Sequence, residues 1–127
     1  MHVLLDTHAL LWWLSDDPAL TKGARRIIEE VKNVILVSAA SAWEIAIKVR
    51  LGKLPTAVDL AMNFSGQIEQ EGVQTLAISA SHAIRAELLP GSHKDPFDRM
   101  LIAQSQAEDM PLISSETLFD GYGIRRI

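Results

Sequence analysis

No cysteine occurs among the 127 residues, so neither a disulfide framework nor a thiolate metal site is available. The four histidines never stand as H-x-x-H or H-x-x-x-H, the spacings that put two imidazoles on one helix face around zinc. A glycine-rich phosphate loop and a G-x-S-x-G elbow are both missing, which removes the hardware of nucleotide triphosphatases and of esterases. No apolar run approaches the roughly 20 residues of a membrane span, and the longest are interrupted by Asp6 or by serines. Met1-His2 leads straight into a strand-like segment with no signal-peptide pattern, so the expected location is cytoplasmic, without a membrane. A net charge of −4 argues against a broad basic surface for duplex DNA. It leaves room for a nucleic acid approached through metal ions.

Hydrophobic residues make up 48% and charged residues 22%, ordinary values for a globular chain. One domain covering residues 1–127 is expected, burying roughly two-thirds of its unfolded surface. Val3-Leu4-Leu5 and Val34-Ile35-Leu36-Val37 are short continuous apolar runs, suited to strands covered on both faces. Val73–Ile78, Leu112-Ile113 and Ile124–Ile127 read as further strands. Helical patterns fill the intervals: Thr7–Leu14, Leu20 to about Val31 with Ala24, Ile27, Ile28 and Val31 on one face, Ser41–Leu51, Val58–Glu71 and Ser79–Leu89. Ser41 and Glu44 have the spacing of a capping box. Asp95-Pro96 reads as an N-cap followed by proline at the first helical position, which places Asp98 at N3 of a helix ending before Pro111. Alternation of strands and helices predicts an α/β domain with a mostly parallel sheet of about five short strands flanked by helices.

In such a sheet, sites form beyond the carboxyl ends of the strands. Asp6 closes the first strand, Glu44 opens the helix after the second, and Glu116 follows the fourth. The helix bearing Asp98 returns to a strand, so its N-terminus belongs at the same edge. Each acid has a purely structural role open to it: a strand-end acid at Asp6, a cap and an i,i+4 pair with Lys48 for Glu44, a first-turn acid for Asp98, a helix start for Glu116. Asp95 reads as the cap itself and Asp120 as a turn residue. Four carboxylates at one edge repel one another unless a cation binds or protons are taken up. Hard oxygen donors without histidine or cysteine point to Mg²⁺ or Mn²⁺ rather than zinc. His93, beside Lys94, reads as a solvated loop residue.

Three segments together, Leu4-Leu5-Asp6-Thr7-His8-Ala9-Leu10-Leu11-Trp12-Trp13-Leu14, Val37-Ser38-Ala39-Ala40-Ser41-Ala42-Trp43-Glu44-Ile45-Ala46-Ile47-Lys48 and Asp95-Pro96-Phe97-Asp98-Arg99-Met100-Leu101-Ile102-Ala103-Gln104, closely resemble the PIN-domain ribonucleases. Within them the likeness is to VapC-type toxins of bacterial toxin–antitoxin pairs, and it runs over essentially the whole chain. The resemblance implies a parallel sheet between helices and a metal-dependent endoribonuclease whose acids map onto Asp6, Glu44 and Asp98. The fourth acid of that family, usually aspartate, falls at Glu116, whose extra methylene lengthens its reach by about 1.5 Å. Thr7 and Ser115 stand beside acids and are expected to hydrogen-bond them.

The expected chemistry is hydrolysis of an RNA phosphodiester by metal-activated water, with Asp6, Glu44, Asp98 and Glu116 holding Mg²⁺ or Mn²⁺. Lys48, Arg50, Lys53, Lys94 and Arg99 are candidate phosphate contacts, each with a solvated charged face as its plain alternative. Two rival readings stay open: a Mg²⁺-dependent phosphatase, which wants a second aspartate where His8 stands, and an inert PIN fold serving only to bind an antitoxin. The resemblance also implies a homodimer and a VapB-type antitoxin seated in an apolar groove. Leu10 to Leu14 carry too many large apolar groups for one face of a short helix, so Trp12 or Trp13 is expected to line that groove.

Overall fold

The computed structural model describes residues 1–127. Four parallel strands form its sheet: β1 (His2–Leu5), β2 (Val34–Ser38), β3 (Val73–Leu76) and β4 (Leu112–Ile113), in the order β3-β2-β1-β4. The order reverses beside β1, whose neighbours are β2 on one side and β4 on the other. Seven helices surround the sheet: α1 (Thr7–Leu14), α2 (Lys22–Glu29), α3 (Ala39–Arg50), α4 (Val58–Met62), α5 (Phe64–Gln70), α6 (Ala80–Leu88) and α7 (Pro96–Glu108). Short 3₁₀ segments lie at Pro55–Ala57 and Thr117–Tyr122.

The continuous apolar runs mean what a doubly covered sheet requires. Successive side chains of a strand point to opposite faces, and here they divide between two cores. Val3, Leu5, Ile35, Val37 and Ile113 join Leu10, Ala24, Ile28, Ile45 and Ile68 of the helices on one face. Leu4, Leu36 and Leu112 join Leu101 and Ile102 of α7, together with Met110 and Phe119, on the other. Polar residues could not alternate in β1 without being buried against one helical layer, which is why Val3, Leu4 and Leu5 are all fully buried.

Several elements differ from those read in the sequence. Val31 is 92% exposed, because α2 ends at Glu29 before the expected apolar face is complete. The helix expected over Val58–Glu71 is broken at Asn63 (φ −143°, ψ 53°). Gly66 gives the Asn63 amide room: a Cβ there would meet Asn63 Oδ1 at 2.6 Å. The final strand contracts to a single parallel bridge between Leu112 and Arg126. α3, finally, starts two residues early. Ser38, still in β2, caps it by accepting the Ala40 N–H at 3.0 Å, so the Ser41–Glu44 capping box does not form. Ser41 is instead buried and accepts a hydrogen bond from Thr7 Oγ1 at 2.9 Å, which ties the first turn of α3 to that of α1.

Candidate active site at the carboxyl edge

β1 and β4 are neighbours, so the residues that follow them emerge side by side. Asp6 is the N-cap of α1, its Oδ1 accepting the Ala9 N–H at 2.7 Å, and the residue is only 5% exposed. From β4 the chain continues through Ser114, whose side chain hydrogen-bonds Asp6 and whose Oγ also accepts the Glu116 N–H at 3.0 Å. Glu116 stands at the N-cap position of the following 3₁₀ segment, yet its carboxylate caps nothing. It lies 3.6 Å from His8 Nδ1.

α7 brings the third acid. Asp95 Oδ1 accepts the N–H groups of Phe97 at 2.9 Å and Asp98 at 3.1 Å, with Pro96 at the first helical position, as its sequence predicts. Because Asp95 does the capping, the Asp98 carboxylate is left for other partners. It meets His93 Nε2 at 2.8 Å.

The electrostatics join these three acids into one cluster. Burial pushes Asp6 above the ordinary carboxylate value; hydrogen bonds from Ser114 and the Ala9 amide and the proximity of His8 oppose the rise, and the charge of Glu116 adds to it. Burial likewise raises Asp98, against the hydrogen bond from His93, with Asp95 and Glu116 adding repulsion. Glu116 is thus the shared neighbour of both. Glu44 is carried to the same edge by α3, but it sits in the second turn rather than the first. Its carboxylate is paired with Lys48 Nζ at 3.5 Å.

The oxygen-rich donor set suits a hard divalent cation, and burial with like-charge repulsion is a condition such a cation relieves. The side chains are not gathered into a ready cage, however: no three acidic or histidine groups close on a common point. Their present partners are the Ala9 amide, Ser114, His93, His8 and Lys48.

Several expected contributors are placed elsewhere. Arg99 is turned away from the acids: Nε donates to Ala86 O at 2.9 Å, Nη1 to His93 O at 2.9 Å, and Nη2 to Glu87 O at 2.9 Å and Leu89 O at 2.8 Å. Four of its five donors therefore clip the end of α6 to the loop before α7, which leaves one for any other partner. Ser115 is exposed, and Ser114 makes the bond to the acid instead. Thr7 bonds Ser41 rather than a carboxylate. Lys48 is held by Glu44, while Arg50, Lys53 and Lys94 are exposed. His93 is partly buried against Asp98, not solvated. Asp120 is held by Arg126 through contacts of 2.8 and 3.1 Å, which lower its pKa.

His8, His93 and Ser114 were not legible as partners of the acids. Each lies within two to five residues of one, but only the turn geometry at a strand end or helix start brings it round. A largely apolar cleft of about 110 Å³ opens beside Ser114, lined also by Ala9, Trp12, Leu20, Ala24, Ile113 and Ile127 among others. Trp12, stacked on His8 at 5.8 Å, belongs to this cleft. Trp13 packs instead under the Arg25 guanidinium, 5.8 Å from its ring centroid.

The PIN domain family matches the chain over residues 3–124. Over 58 residues the chain is 45% identical to ribonuclease VapC16 of Mycobacterium tuberculosis, a match covering 46% of this chain and 41% of that protein. It is 30% identical over 115 residues to ribonuclease VapC22 of the same organism, covering 90% and 86%. Among solved structures it is similar to VapBC2 from Rickettsia felis bound to a DNA fragment from their promoter, with TM-score 0.69, 14% identity and coverage of 100% and 98%. It is also similar to VapC20 of M. tuberculosis, a sarcin–ricin loop cleaving toxin, with TM-score 0.63, 16% identity and coverage of 96% and 95%.

Proposed function

The chain belongs to the PIN-domain family, among its VapC-type members, and on that premise we propose that it is a cytoplasmic, metal-dependent endoribonuclease toxin held inactive by a cognate antitoxin. The observation that carries this reading is the placement of Asp6, Asp98 and Glu116 at the junction of β1, β4 and α7, where burial raises both aspartates and the charge of Glu116 adds to each rise. Burial and like charge at this edge are conditions that a bound cation relieves. An external cation supplies the missing charge.

In this reading Asp6, Asp98 and Glu116 hold Mg²⁺ or Mn²⁺, and Glu44 joins them by releasing Lys48. The ion's contribution when bound is a nucleophilic water and neutralisation of charge at the leaving oxygen. The chain's own residues prepare the place. The Ala9 amide and Ser114 orient Asp6, and His93 orients Asp98 by the bond to its Oδ2. The longer Glu116 reaches from the turn after β4, where Ser114 steadies its backbone. Lys48, once released from Glu44, would be free to meet a phosphate, as would Arg50, Lys53 and Lys94, which are exposed.

The antitoxin, of VapB type, would lay an apolar segment in the cleft beside Trp12, from which an arginine or lysine could reach the acids and displace the cation. A homodimer is the proposed assembly. The test is cleavage of RNA by the purified chain, with the product ends sequenced. Cleavage that needs Mg²⁺ or Mn²⁺, stops with a chelator and is absent in Asp98→Asn is the expected result. A folded protein that binds its antitoxin but cuts no RNA with either ion would reduce the chain to a binding module.

A further inference from the structure

Trp43 is a large aromatic that neither the core nor the acids account for. It is 64% exposed, one residue before Glu44, on a helix whose buried positions are Ala40, Ser41 and Ile45. Leaving an indole in water forgoes the hydrophobic gain of burying it. Yet the ring is not loose: it meets Phe97 edge to face, centroids 5.5 Å apart at 82°. Phe97 is in turn the residue before Asp98. The two aromatic residues therefore clasp α3 to α7 beside two of the proposed site acids, and one contact with Phe97 leaves most of the indole open to solvent.

The charge of the chain makes that open face useful. At −4, the protein has little net attraction for a polyanion. Contacts to base faces do not depend on that charge. Resting on the ribonuclease reading above, we propose that Trp43 is a stacking platform for a base of single-stranded RNA adjoining the cleaved phosphodiester, steadied from its Phe97 side. Arg50 and Lys53, exposed further along the same helix and just past its end, stand in line to meet the phosphates of the stacked strand.

The test measures binding of a short fluorescein-labelled single-stranded RNA of mixed sequence by anisotropy, in the Asp98→Asn background so that the probe stays intact. Trp43→Ala should weaken binding about tenfold, within the range of base–aromatic stacking, and Trp43→Tyr should retain most of the affinity. The tenfold factor should be the same at about 50 and 200 mM salt, whereas a lost phosphate contact would change the salt slope. In the otherwise unaltered enzyme, Trp43→Ala should raise KM with kcat kept. Unchanged affinity overturns the proposal. So does conversion of a dimer to monomers by Trp43→Ala in light scattering, which would make the ring a subunit contact. Binding that depends on Trp43 without any cleavage by the unaltered chain removes the ribonuclease reading and leaves the platform. Cleavage with binding indifferent to Trp43 removes the platform alone, and absence of both removes both.

Discussion

Asp98 and Asp120 lie near opposite ends of the last third of the chain and are treated in opposite ways. At the C-terminal corner, Arg126 grips Asp120 with two nitrogens and lowers its pKa. At the carboxyl edge, Asp98 is raised by burial and by other acids, although Arg99 is its immediate neighbour in sequence. That arginine is directed into four backbone carbonyls instead. Arginine pairs are the strongest partners a carboxylate finds within a protein. The surface corner has one, while Asp6, Asp98 and Glu116 have only histidine and backbone or serine donors. On the proposed reading, the cluster takes its positive charge from outside.

The comparison breaks most visibly if the uncompensated edge is inert. Asp98→Asn keeps the volume and position of the side chain, since Asp95 rather than Asp98 caps α7. RNA cleavage should fall by more than the roughly 10- to 100-fold that altering an outer partner of a metal site costs, with the circular dichroism spectrum unchanged. Full activity in the folded variant would remove Asp98 from the site.

Arg99→Ala tests the other half of the contrast. Losing hydrogen bonds from a charged donor to four carbonyls should cost about 3 kcal/mol, lowering Tm by on the order of 10 °C. RNA affinity per folded molecule should be unaltered. A stable variant with weakened RNA binding would return Arg99 to the phosphate contacts.

Glu116 should have the smaller catalytic effect, because its side chain is longer than that of aspartate. Glu116→Ala should slow cleavage about tenfold, or about 1.4 kcal/mol of barrier. Glu116→Asp should match or exceed the parent. Unaltered kinetics in the alanine variant would leave Glu116 as a backbone landmark only.

The smallest effect separates the two regions by sign. Asp6 is raised when folded, so the folded chain binds its proton more tightly than the unfolded chain does. Its contribution to stability is full below the ordinary value of 3.8 and is lost as pH rises through the raised pKa. Asp120 is lowered, so its contribution is present above 3.8 and is lost as pH falls through the lowered pKa. In chelator, Asp6→Asn, which can still cap α1, should gain Tm relative to the parent as pH rises from about 4. Asp120→Asn should instead lose Tm relative to the parent only as pH rises toward about 4 from below, weakly because the pair is exposed, and run level with it above. Parallel curves for the two variants would dissolve the contrast.

Much of this was determined by the sequence alone, where the signal was local. Val3-Leu4-Leu5 can be a buried strand only if both faces are covered, and Asp95-Pro96 starts a helix by its own backbone chemistry. The three motif segments carried the family. The tertiary structure decided what depends on partners distant in the chain. Ser41 lost its capping role because Ser38 starts α3 earlier, which leaves the Ser41 hydroxyl to accept from Thr7, 34 residues away. Arg99 left the acids because α6 ends with open carbonyls within its reach, a fact of helix packing that no spacing encodes. Sequence placed the acids at one edge, since strand ends and helix starts are local events. Which acids share a field, and which cations are kept from them, follows from side-chain directions that only the packed chain has.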